Sequence, residues 1–115
     1  MAHAADDEPG ITGHVAATGH LVVRCTGARF GLVQAEEVAR LADTRFPDGK
    51  PRVIVNLANV EYIDSTAVAL FVRLSLQGDV RLCSLSPSVA GVMRRMEILP
   101  LLRVHENERD ALAED

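Results

Sequence analysis

Val53-Ile54-Val55-Asn56-Leu57-Ala58-Asn59-Val60-Glu61-Tyr62-Ile63-Asp64-Ser65-Thr66-Ala67-Val68-Ala69-Leu70-Phe71-Val72 is the stretch from which the rest of the chain is read. It opens as a short β-branched apolar run and breaks from Asn56 to Glu61. After Asp64-Ser65-Thr66 it resumes with apolar residues numerous enough for about three helical turns. That pattern is strand, loop, helix. Asp64 and Ser65 are residue types that cap a helix, because a side-chain oxygen accepts from backbone N–H groups orphaned in the first turn. The hydroxyls of Ser65 and Thr66 therefore fall where the partial positive charge of the helix start is strongest.

Working towards the N-terminus, Arg52 to Leu57 is a strand preceded by the turn Pro47-Asp48-Gly49-Lys50-Pro51. Before it, Leu32 to Phe46 sets Ala35, Val38, Ala39, Ala42 and Phe46 at helical spacing, with Glu36 four residues ahead of Arg40 on the wet side. Gly27 to Gly31 is a bend. Leu21 to Cys25 is a strand, and Ile11 to Ala17 a weaker edge strand, joined by Thr18-Gly19-His20. The acidic segment 1–10 is predicted to be a disordered tail, and 11–115 a single domain.

Towards the C-terminus, the helix from about Ser65 to Gln77 turns Ala67, Val68, Leu70, Phe71, Leu74 and Ser75 to the sheet. Its other side carries Ser65, Thr66, Arg73 and Gln77 among Ala69, Val72 and Leu76, which is apolar for a solvated face. Two explanations stand: contact with another part of the same domain, or a docking face for a partner built on Ala69, Val72, Arg73 and Leu76. A strand from Val80 to Leu85 follows. Ser86-Pro87 then opens a helix to about Met96 that buries Val89, Val92, Met93 and Met96. A short strand near Leu101 to Val104 and a helix from about Asn107 to Ala113 complete the order. Alternation of this kind implies an α/β domain with a mixed, mostly parallel sheet of about 4–5 strands and about 4 helices.

With 115 residues, 48% of them hydrophobic, the chain is long enough for one aliphatic core and too short for two. The formal charge of −4 argues against a nucleic-acid surface, for which only Met93-Arg94-Arg95 offers a hint. No apolar run approaches a membrane span, and the first residues have neither a basic nor an apolar leader region, so the expectation is a cytoplasmic protein. Cys25 and Cys83 lie far apart in apolar runs and read as buried, inert thiols. His3, His14, His20 and His105 have no ligand spacing, so no metal site is expected. There is no phosphate loop and no nucleophile–base pair, so no catalytic residue and no cofactor is expected either. On residue type alone, Ser65 reads first as an ordinary capping serine.

The segment from Val53 to Leu57, followed by Val60-Glu61-Tyr62-Ile63-Asp64-Ser65-Thr66-Ala67, resembles the signature of STAS domains, especially bacterial anti-sigma factor antagonists. Val80 to Val89 is similar to the family's next strand and Ser-Pro-initiated helix. The resemblance implies a STAS-like fold and a switch rather than a catalyst. It makes Ser65 the phosphorylated hydroxyl, with Asp64 and Thr66 as neighbours. It also implies an anti-sigma factor with serine kinase activity as partner and a phosphatase that reverses the modification. A homodimer through the outer helix face is a further expectation. Ala67 stands where the motif usually has Gly, and Phe30 roughly where an acidic residue is common. The other function compatible with the resemblance is a non-phosphorylated STAS scaffold, or an accessory subunit in a signalling assembly or transport ATPase complex.

Overall fold

Five strands, β1 (Ile11–Val15), β2 (Leu21–Cys25), β4 (Arg52–Asn56), β6 (Asp79–Cys83) and β7 (Arg103–His105), form the main sheet in that order, as seen in a computed structural model that describes residues 10–114. The acidic tail expected over 1–10 lies outside the described residues except for Gly10. β1 runs antiparallel to β2. β4, β6 and β7 continue parallel from β2. Two short strands, β3 (Arg29–Phe30) and β5 (Tyr62–Ile63), pair with each other in a separate parallel ladder. Four helices connect them: α1 (Leu32–Arg45), α2 (Ser65–Gln77), α3 (Pro87–Arg95) and α4 (Glu108–Ala113). The α/β class, the mixed sheet and the four helices agree with expectation.

The central strands are apolar on both sides because both faces of the sheet are covered. Leu21, Val23, Val53, Val55, Val80 and Leu82 join the buried residues of α1, α2 and α3 in the main core. Alternate residues Val22, Ile54 and Cys83 face the other way and meet Ala111 of α4 in a second, smaller cluster. Cys25 is buried in the first cluster and Cys83 in the second, both as free thiols, and burial pushes them up to about 12 and about 11.

The elements differ from expectation mainly at their ends. β3 falls within the predicted Gly27–Gly31 bend, since two residues are too few for a hydropathy pattern to register. Arg40 pairs with Glu37, at 2.6 Å, rather than with Glu36, which is exposed on the groove side of α1. Met96 is exposed rather than buried: α3 stops at Arg95, Glu97 enters the left-handed region at φ 57°, and the chain turns so that Ile98 packs on the core. A 3-10 turn at Leu99–Leu101 takes the first part of the predicted last strand, which begins at Arg103. Gly78 ends α2 because the chain passes against Pro51, where a Cβ would lie 2.1 Å from the Pro51 carbonyl oxygen.

Candidate functional site

The two helix starts that follow β3 and β5 meet at one corner of the domain. β3 and β5 set this up: the Ala28 carbonyl accepts from the N–H groups of Glu61 at 2.7 Å and Tyr62 at 3.0 Å, and the Phe30 carbonyl accepts from Asp64 N–H at 3.3 Å. Phe30 is fully buried with its ring 5.2 Å from that of Phe71, so the β3–β5 ladder is nailed to the core through α2. Gly31 caps α1 directly against the start of α2. A Cβ there would come within 2.8 Å of Asp64 Oδ2, so a larger residue at 31 would displace the Asp64 carboxylate.

Asp64 is the N-cap of α2. Its Oδ1 accepts from Thr66 N–H at 2.9 Å, from Ala67 N–H at 3.1 Å and from the Thr66 hydroxyl. The Thr66 hydroxyl first, then these backbone donors and the charge of Arg29, hold the Asp64 carboxyl below the usual carboxylate range despite its partial desolvation. Capping is thus done by Asp64, and the Thr66 hydroxyl is engaged with it. Ser65 is the first helical residue, is exposed, and makes no side-chain hydrogen bond within the described structure. Of the two readings open for Ser65, the capping one does not fit: Asp64 is the N-cap, and the exposed Ser65 makes no side-chain hydrogen bond among the described residues.

Ala67 is fully buried, with its methyl in the main core rather than beside Ser65. Phe30 is likewise turned inward, and the residue that reaches the surface beside Asp64 is Arg29, with Tyr62 next to it at 64% exposure. These three line a recess of about 130 Å³. The local charge at this corner is therefore mixed rather than acidic. By position along the chain Phe30 stands roughly where an acidic residue is common; pairing of Arg29 with Tyr62 sets the alternation that sends Phe30 inward.

On the outer face of α2, Ala69, Arg73 and Leu76 are exposed, Leu76 at 84%, while Val72 is half-buried. No other described part of the domain covers Ala69, Arg73 or Leu76, whereas Val72 is partly covered within the domain. A groove of about 320 Å³ runs between α1 and α2. Buried Leu70 and Ala35 line it together with Ala39, Leu32, Ala69 and Thr66, and Glu36 and Arg73 supply opposite charges. Of the four residues expected to form a docking face, Ala69 and Arg73 line this groove, and Val72 and Leu76 do not. The α1 half was hidden, because nothing in a single chain's periodicity says which neighbouring helix lies alongside.

Among the described residues no helix is long and apolar enough to cross a membrane. No curated protein matches this chain in sequence. Solved structures share its fold. An anti-sigma-factor antagonist (STAS) domain protein from Planctomyces limnophilus has 22% identity and a TM-score of 0.72, covering 89% of this chain and 94% of that one. The anti-sigma factor antagonist SpoIIAA in its unphosphorylated form has 19% identity and a TM-score of 0.69, covering 89% and 92%. A sulfate transporter family protein from Wolinella succinogenes has 20% identity and a TM-score of 0.68, covering 93% of each chain. The family model for the STAS domain matches residues 13–111 and so runs through every strand and helix around the Asp64–Ser65 corner. The chain belongs to the STAS domain family.

Proposed function

We propose that this protein is an anti-sigma factor antagonist that holds an anti-sigma factor against the start of α2 and the α1–α2 groove, and lets it go when Ser65 is phosphorylated. The partner is itself the serine kinase, and a phosphatase restores the binding form. The observation that carries this reading is the idle hydroxyl of Ser65. It is exposed at the first helical position while Asp64 and Thr66 do the capping, so a phosphate can be added without removing any bond that holds α2.

A phosphate adds nearly two negative charges, and the helix dipole tolerates them at this position. A partner packed across Thr66 and Ala69 would have to desolvate that dianion beside the Asp64 carboxylate. The cost of burying an uncompensated charge, a few kcal/mol, is enough to abolish a μM complex. The switch is then local and needs no change of fold.

The test is to incubate the protein with the serine kinase anti-sigma factors of its own genome and ATP, locate the phosphate by mass spectrometry, and measure complex formation by calorimetry. Ser65→Ala is expected to bind as the parent does and take no phosphate, and the phosphorylated parent to bind about 100-fold more weakly. Phosphate at another residue, or undiminished binding by the protein phosphorylated at Ser65, overturns the reading in favour of a STAS module that docks without a phosphate switch.

A further inference from the structure

On the sheet face turned away from α1, α2 and α3, the sole helix among the described residues is α4, of six residues. A helix this short does not hold its shape alone. Its apolar anchorage is slight: Ala111 is fully buried and Leu112 partly, against Val22, Ile54 and Cys83. The remaining attachment is polar and sits at both ends. At the first turn, Arg24 donates through Nε and Nη2 to Glu108, each at 2.7 Å, and Asn56 Nδ2 donates to Glu108 at 2.6 Å. Past the last turn, Glu114 meets His105 Nε2 at 2.6 Å, Arg103 Nη1 at 3.5 Å and Arg81 Nε at 3.6 Å. Arg81 Nη1 also donates to the carbonyls of Ala111 at 2.6 Å and Glu114 at 2.9 Å.

We propose that α4 is a latch: the segment from Asn107 to Glu114 lifts from the sheet as a unit while the rest of the domain stays folded, uncovering an apolar strip of Val22, Ile54 and Cys83 with Arg24 at its edge. Three features favour opening of this segment over global unfolding. The strip under α4 is separate from the main core, so its exposure disturbs no contact of α1, α2 or α3. The Arg24 and Arg103 side chains are 51% and 54% exposed, so water and salt compete for their carboxylate partners. Arg81, the buried cation, keeps Asp79 when α4 leaves, through Nε at 3.1 Å and Nη2 at 2.9 Å, so opening strands no buried charge.

Cys83 reports the event. Burial is the main reason its thiol is held up at about 11 and the Glu108 charge adds to it, while the hydrogen bond with Ser84 and the charge of Arg24 oppose it. Lifting α4 removes the first two and leaves Arg24 beside an open thiol. Cys25 lies in the main core of the same molecule and serves as the control.

The native parent protein is treated with dithiobis(nitrobenzoate), whose sulfur–sulfur bond is attacked by the cysteine thiolate. A mixed disulfide forms, one thionitrobenzoate leaves, and the thiol proton passes to buffer. Peptide mapping by mass spectrometry gives the rate at each cysteine. Cys83 is expected to react at least about tenfold faster than Cys25, the margin widening with added salt and in Glu108→Gln. Equal rates at the two cysteines, or a lead for Cys25, overturn the proposal, because α4 then opens only with the whole domain. The comparison within the parent decides the matter even where the variant does not fold.

Discussion

Ala67 stands where the resembled motif usually has Gly, one of two departures with that at Phe30, and its methyl group lies in the main core. The backbone N–H of the same residue supports the Asp64 carboxylate at 3.1 Å. An alanine here adds a buried methyl and helix propensity relative to glycine. Ala67→Gly is expected to lose about 1 kcal/mol of stability in urea denaturation, the cost of a helical glycine together with a lost buried methyl. The position and rate of phosphorylation should stay unchanged. A variant as stable as the parent would mean that the methyl contributes no packing.

At the scale of the helix, α2 has two surfaces beyond its buried one. Thr66, Ala69 and Arg73 face the groove shared with α1, while Val72 and the exposed Leu76 lie outside it. The four residues proposed as a docking face are therefore not equivalent. Ala69→Arg fills the groove from an exposed position, so it is expected to weaken the anti-sigma complex at least about tenfold in calorimetry, with the melting temperature nearly that of the parent. Val72→Arg places a charge at a half-buried position and is expected to lower the melting temperature by several degrees as well. An Ala69→Arg protein that binds normally would move the interface off the groove.

At the scale of the molecule, carboxylates tie the second sheet face together and make stability depend on acid. Glu108 is held at about 2, against an ordinary value of 4.5, first by the hydrogen bond from Arg24 and then by that from Asn56. Asp79 is also depressed: bonds from Arg81 and His20 outweigh its desolvation. A depressed carboxylate contributes stability above its unfolded-state value and loses it as pH falls through the folded one. The melting temperature should accordingly fall as pH drops from about 4.5 towards 2, and Glu108→Gln should flatten part of that slope. An identical acid profile for the two proteins would remove Glu108 from the account. His20 belongs to the same network, buried between Thr18 at 2.8 Å and Asp79 at 3.1 Å. The sequence showed it only as part of a turn, because its partner on β6 is 59 residues away.

What the amino-acid order determined by itself was largely local in origin: the alternation of strands and helices, the apolar faces of α1 and α2, the cap types at Asp64 and Ser86, and the burial of both cysteines. These follow from periodicity and from side chains bonding to nearby backbone, which need no knowledge of distant residues. Tertiary structure alone decided that Asp64 caps while Ser65 stands idle, that Phe30 turns inward and Arg29 outward, and that α1 supplies half of the groove. The physical reason is the same in each case. Where a side chain finally points depends on which strand pairs with its own, and that pairing joins residues far apart in the chain.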